Sequence, residues 1–352
     1  MAINLHTKYA KKIATVFVQE SIMDGRLSND YDLTGVKSVK ISTPITVPLN
    51  DYQRSGTSRY GTPTDIQDVV QELTMSQDKS FTAVVDKGNQ SDQNGIKPAG
   101  RMMALQLQER VVPEKDKYTL DVLAHKAGKI IGNATALSKS NVIERIAAGV
   151  AALDDAEVPQ TSRTLYVPSG TFTFIALSPE FVGIDKLGEK SVGKFKVGEL
   201  LGMDVVRVPA GRWPANVNFM IVYKNSALAP VKISETKLHT DPMGISGNVL
   251  EGRFYYDAFV LGAKCDGIYV EVDTGSNKGT VLTAPVIAAA GGAITAASGA
   301  TAVYTLDGTD PRYSTTAKTG TTTNATAGTI IKAYQYKSGA FESPVAEVTT
   351  TS

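Results

Sequence analysis

The pattern of apolar and polar positions divides the chain into unlike stretches. Near the N-terminus Ile13, Val16 and Phe17 recur at helical spacing, until Gly25 and the run Ser28–Asp32 break it. This reads as a short arm docked on something else, with little core of its own. From Val36 to Val47 the period changes to two. Val39, Ile41 and Thr43 alternate with Lys40 and Ser42, while Pro44 and Pro48 confine the strand to an edge. Asn50–Pro63 (NDYQRSGTSRYGTP) is polar, punctuated by glycine, and has almost nothing to bury. Val69–Leu73 and Ser80–Val85 read as strands again. Together these stretches predict a long β-hairpin with a wide polar tip. Such a hairpin is marginal by itself in water and needs a neighbour to lie on.

Lys97–Gly132 carries the strongest helical signal. Met103, Leu107 and Val111 are spaced by four, with Leu105 close to the same face. Pro98 suits a first helical turn, Pro113 interrupts the pattern, and Leu120, Leu123 and Ala127 resume it. The prediction is a long helix, kinked or broken at Pro113, with Gly128 as its stop. A second helix spans Asn141–Leu153, with Asn141 as N-cap, Glu144 placed as in a capping box, and Val142, Ile146 and Val150 as its stripe. Short pieces follow: strands at Thr164–Val167, Asp204–Val208, Asn218–Tyr223, Arg253–Leu261 and Gly267–Val272, and a short helix at Gly170–Leu177. Without a regular βαβ rhythm, this mixture predicts an α+β fold.

Composition changes the picture near residue 280. Of the 71 charged residues, 63 lie in 1–280 and 8 in 281–352, where Thr, Ala and Gly dominate. Asp273–Thr283 reads as a linker. Beyond it Val303 and Thr305 flank Tyr304, Ile331, Ala333 and Gln335 alternate with Lys332, Tyr334 and Tyr336, and Asp307-Gly308 is a turn signal, so the tail reads as all-β.

Candidate chemistry changes it little. No apolar run approaches the roughly 20 residues of a membrane helix, and the first residues lack a secretory pattern. The lone Cys265 excludes an internal disulfide and reads as a small core or half-buried residue. A net charge of +1 argues against strong nonspecific attraction to nucleic acid, although it leaves room for a basic inner face on a shell. There is no P-loop and no dinucleotide fingerprint. His6, His125 and His239 are far apart, Asp154–Asp155 reads as a solvated turn, and Ser169 lacks the glycines of a nucleophile elbow. Asp307 and Asp310 are two carboxylates that suit a tight turn better than calcium. No cofactor, metal site or catalytic constellation is expected. The chain reads as a structural protein and not an enzyme.

The order of elements (arm, polar hairpin, long helix, α+β domain, terminal strands) resembles the major capsid proteins of tailed phages with the Hong Kong 97 fold. Four stretches resemble capsid subunits of phages infecting Gram-positive bacteria: ELTMSQDKSFT (Glu72–Thr82), RVVPEKDKYTLDVLA (Arg110–Ala124), AALDDAEVPQTSRTLYVPS (Ala151–Ser169) and GRFYYDAFVLGAKCDGIYV (Gly252–Val270). The resemblance implies an N-arm at 1–36, an extended loop at 37–95, the spine helix and peripheral domain at 96–139, an axial domain at 140–250, and peripheral-domain strands at 251–275. It implies that the loop tip, Arg54, Ser55, Gly56, Thr57, Arg59 and Tyr60, contacts a neighbouring subunit. It also implies pentamers and hexamers in an icosahedral shell around double-stranded DNA, located in the virion after assembly in host cytoplasm. The chain starts almost at the arm, which implies a separate scaffolding protein or none. No crosslinking triad can be placed, so covalent crosslinks are not expected. Lys8, Lys11, Lys12 and Lys126 are candidates for facing DNA.

The tail, YTLDGTDPRYST (Tyr304–Thr315) and IIKAYQYKSGAFESPVAEVT (Ile330–Thr349), resembles the small Ig-like module at the C-terminus of chitobiases and many surface proteins. The resemblance implies an Ig-like sandwich at 281–352 that decorates the shell, projects outward, and can be deleted without loss of assembly. Tyr304, Tyr313, Tyr334 and Tyr336 are candidate stacking faces for adhesion to surface glycans. The alternatives are an encapsulin-like compartment shell, a tail or other virion protein with an Ig-like domain, and a carbohydrate-active enzyme with an accessory module.

Overall fold

A computed structural model describes residues 20–31, 38–44, 49–61, 63, 65, 68–88, 99–178, 198–276 and 278–351. The expectations for Ile13, Val16, Phe17, His6, Lys8, Lys11, Lys12, Pro48 and Pro98 fall outside them.

Strand β1 (Ser38–Pro44) pairs antiparallel with β2 (Asp68–Thr74), from Ser38 opposite Thr74 to Pro44 opposite Asp68. This is the base of the expected hairpin. The third expected strand does not belong to it. β3 (Gln77–Asp86) runs instead along β11 (Gly247–Tyr256), which also pairs with β10 (Val231–Thr240), in a three-stranded antiparallel sheet. The reason lies at Leu73 and Met75, which are buried with Ile41, Leu228 and Leu261 and turn the chain out of the hairpin plane. The same pairing sets 231–240 and 247–256 in a sheet separate from the one that holds the strands of 163–223.

The long helix is continuous. Helix α1 (Ala99–Gln106) passes through a π segment (Leu107–Val111) into α2 (Val112–His125). Pro113 has no N–H to offer the residue four before it, and its ring crowds that carbonyl. Widening the preceding turn relieves the clash without breaking the helix. The helix ends earlier than expected, at His125, and Lys129–Asn133 is strand β4. Gly128 serves close approach: a Cβ there would lie 2.5 Å from the Cys265 backbone.

β4 edges a six-stranded sheet of order β4-β13-β8-β5-β7-β6, formed with Ile268–Asp273 (β13), Val217–Tyr223 (β8), Arg163–Pro168 (β5), Met203–Val208 (β7) and Glu199–Leu200 (β6). Its central strands are buried on both faces, which explains their near-continuous apolar runs. Leu120, Leu123, Met220, Val222 and Val270 fill one side. Helices α3 (Val142–Asp154) and α4 (Ser169–Ala176) cover the other through Val142, Ile146, Ile175, Phe219 and Ile221. Asn141 stands at the N-cap, but its Oδ1 accepts from the Ser138 N–H and caps no helical donor. The expected strand at Arg253–Leu261 is two, β11 and the short β12 (Phe259–Val260), which pairs with β9 (Ala227–Leu228).

The tail is all-β, as its alternation predicts. A four-stranded sheet of order β17-β16-β18-β19 (Lys318–Thr319, Thr301–Thr305, Ile330–Tyr336, Ala346–Thr349) and a two-stranded one (β14, Val286–Ile287; β15, Ile294–Thr295) share a core of Ile287, Ile294, Ala302, Tyr304, Ile331 and Ala333. The preceding stretch is no free linker. Asp273 Oδ1 accepts from the Gly275 N–H, Lys278 pairs with Asp273, and Leu282 N–H donates to Phe341 O.

Candidate inter-subunit surfaces and the seat of the C-terminal domain

The tip of the hairpin is shaped by its own backbone. Gln53 N–H donates to Arg59 O at 3.0 Å, Arg59 Nε donates to Gly56 O at 3.1 Å, and Gly61 N–H donates to Ser58 O at 3.1 Å. Gly56 and Gly61 supply φ values of 96° and 88° that side-chain-bearing residues rarely adopt. Arg54, Ser55, Gly56, Thr57, Arg59 and Tyr60 are all exposed, and the structure brings them together in one lobe. Tyr60 is 85% exposed and meets Tyr52 edge-on at 5.0 Å, while Leu49 is fully exposed. Among the described residues no carboxylate pairs with Arg54 or Arg59. Aromatic rings and arginines in water, on a lobe with no core beneath, are the composition of the centre of a protein interface.

The root of the N-terminal segment is anchored more firmly than its sequence suggests. Ile22, Met23 and Leu27 enter the main core. Asp116, fully buried on α2, accepts from Ser21 Oγ (2.9 Å), the Ile22 N–H (3.0 Å) and Arg212 Nη1 (2.8 Å). Its position in an otherwise apolar helix stripe was the signal in the sequence. Asp257 ties three elements at the root of the hairpin. It accepts from Tyr118 Oη (2.7 Å), the Ser76 N–H (2.6 Å) and the Ala258 N–H (2.8 Å). Burial and this bond push the Tyr118 phenol up to about 12.

The C-terminal domain is seated against the rest of the chain. Phe341, 5% exposed, belongs to the main core and stacks on His125 at 4.5 Å. Lys126 pairs with Glu342. Just past the spine helix, Tyr313 Oη donates to Lys126 O at 2.5 Å, and Arg312 Nη1 donates to Ala127 O (3.3 Å) and Gly128 O (3.2 Å). These bonds satisfy three carbonyls in the short connection between the helix end at His125 and β4. Asp310 holds the Arg312 fork at both oxygens, through Nε at 3.1 Å and Nη2 at 2.6 Å. Burial works against the Arg312 charge, but Asp310 outweighs it and raises the guanidinium further. Cys265 lies beneath, its Sγ 3.6 Å from Arg312 Nη2. Burial pushes its thiol up to about 12, against the pull of Arg312.

The four candidate stacking tyrosines are placed differently from one another. Tyr304 is in the core of its own domain, with its hydroxyl on Thr322 O. Tyr313 is spent on the spine-helix end, and Tyr334 is buried beside Glu342 and Arg312. Tyr336 is half exposed. Asp307 is engaged by the Thr309 N–H and by the hydroxyls of Thr309 and Thr316, and Asp310 by Arg312. Asp154 accepts from Arg163, and His239 pairs with Glu251. Among the described residues no cluster of three or more metal-ligating side chains occurs.

No family model and no curated protein matches the sequence. Solved structures do match its fold. The capsid structure of the cyanophage P-SCSP1u covers 77% of this chain and 93% of its own, with a TM-score of 0.65 at 10% identity. A structure from Mycobacterium phage Che8 covers 78% of this chain and 100% of its own, with a TM-score of 0.62 at 17% identity. The mature capsid of bacteriophage PhiM1 covers 77% and 92%, with a TM-score of 0.62 at 14% identity. An exposed lobe, a firmly anchored segment at 20–28 and a helix packed on a six-stranded sheet therefore belong to a chain that shares its fold with solved phage capsid structures.

Proposed function

We propose that the chain is a major capsid protein, which assembles into pentamers and hexamers and closes them into an icosahedral phage head around double-stranded DNA. The observation that carries this reading is the likeness to phage capsid structures over 92–100% of their own chains. The exposed lobe at 49–61 supports it, because an apolar and cationic surface without a core needs a partner, and here a second copy supplies one. In this reading the chain has the Hong Kong 97-type arrangement. Residues 1–36 are the arm, the β1–β2 hairpin is the extended loop, and 99–125 is the spine helix. Assembly takes place in the host cytoplasm, with a separate scaffolding protein or with none, DNA lies against the inner face, and the finished protein resides in the virion. Residues 281–352 are an Ig-like module. They make up about a fifth of the chain, similar in size to the share that each structural match leaves uncovered.

Negative-stain electron microscopy beside size-exclusion chromatography of the purified protein tests the proposal. Shells, or rings of five or six subunits, are the expected result, with or without a co-expressed scaffold. A protein that stays monomeric even with the scaffold encoded beside it sinks the reading.

A further inference from the structure

The C-terminal domain reaches the spine helix and also the root of the hairpin. The Tyr313 ring rests on Gly262, where a Cβ would lie 2.5 Å from the Tyr313 Cβ, so this joint closes only over glycine. Gly262 is in turn tied to the hairpin: its N–H donates to Gln71 Oε1 at 2.8 Å, and Gln71 Nε2 donates to Val260 O at 2.9 Å. Gln71 stands in the middle of β2, opposite Ile41 on β1. Beside this line of contacts lies a cavity of about 250 Å³. The hairpin base forms one wall with Thr43, Pro44 and Val69, and the turn at Gly308–Asp310 forms the other.

We propose that the seated C-terminal domain braces the extended loop, through Tyr313 on Gly262 and Gly262 on Gln71, and so fixes the angle at which the loop leaves the subunit. Closely packed groups transmit displacement because they have nowhere to yield. The 260–262 segment is gripped from both sides, by Gln71 from the loop and by Tyr313 from the tail. The cavity is the space into which the loop base swings if the grip is lost, and the 308–310 turn is the stop that limits the swing. The domain is thereby a positioning device for the surface that meets the next subunit. Only this consequence for assembly rests on the capsid reading, since the brace itself exists within one chain.

Hydrogen–deuterium exchange on the full-length, unassembled protein tests it, and the result does not depend on whether shells form. Phe341→Ala and Tyr313→Ala loosen the seat from two sides, and Phe341 lies on the spine helix, away from the hairpin. Both variants are expected to raise exchange of the β1–β2 amides about tenfold or more, together with that of 281–351. Gln71→Ala is expected to raise exchange in β1–β2 alone. Adding Tyr313→Ala to it is expected to add little there, because both changes cut one line of contacts. If a tail variant frees 281–351 while β1–β2 keeps wild-type protection, the brace does not exist. Should Phe341→Ala fail to fold, Phe341→Leu keeps the ring's volume nearly filled and answers the same question.

Discussion

At the scale of single residues, the chain buries charge where elements of distant sequence must meet. Asp116 is the clearest case, since one carboxylate receives the Ser21 hydroxyl, the Ile22 backbone and an arginine from the turn after β7. Asp116→Ala is expected to destabilise the subunit by about 3–5 kcal/mol, the range for breaking a buried ion pair, in urea melts followed by circular dichroism. Asp273 gives a pH dependence. Burial raises its carboxyl, but Lys278 and the Gly275 N–H outweigh that and hold it below the usual 3.8. A carboxyl depressed in the folded state contributes stability above its ordinary value and loses it as pH falls through the folded one. Melting temperature is therefore expected to drop as pH falls below about 4, with a shallower acid limb for Asp273→Asn; equal limbs would remove Asp273 from the account. Little of this was legible in the sequence. It showed that Asp116 was an acid in an apolar stripe, and nothing in it named the partners 94–96 residues away.

At the scale of elements, period and punctuation located most helices and strands, because side-chain alternation is a local property. They failed where pairing is a choice between partners. β3 reads as well for the hairpin as for the sheet, and β11 wins because it offers ten residues of matched register under the spine helix. Gly128 and Gly262 look like turn residues, yet both are small because another backbone or a tyrosine comes close. The hairpin tip, polar in sequence, is exposed in the structure and shaped by its own backbone hydrogen bonds. Deleting Asp51–Pro63 is expected to leave the thermal melt of the soluble subunit within about 0.5 kcal/mol of wild type, as for surface changes away from packing. Shells are expected to disappear in electron micrographs. Normal shells from the deletion would move the interface elsewhere.

At the scale of the whole molecule, the main revision concerns the C-terminal domain. Composition marks 281–352 as a separate segment, and its resemblance to a small Ig-like module implied a decoration that could be removed. The structure puts Phe341 in the main core and Arg312 and Tyr313 on the carbonyls beyond the spine helix. A truncation to 1–280 opens a cavity of phenylalanine size, expected to cost about 3–5 kcal/mol, and exposes the helix end as well. Its soluble yield is expected to fall, and Cys265, now sealed with its thiol pushed up to about 12, is expected to react with a thiol reagent at pH 8. A truncated protein that melts like the full chain with Cys265 still sealed would restore the decoration reading. The sequence by itself determined the class of the molecule: an α+β body, a polar hairpin tip and an all-β tail. These are matters of local periodicity, turn chemistry and residue type, which a chain carries in its order. Only the tertiary structure decided which strand pairs with which, why particular glycines are required, and that the tail is seated rather than free. Those outcomes depend on close packing between surfaces far apart in sequence, where shape and not composition selects the partner.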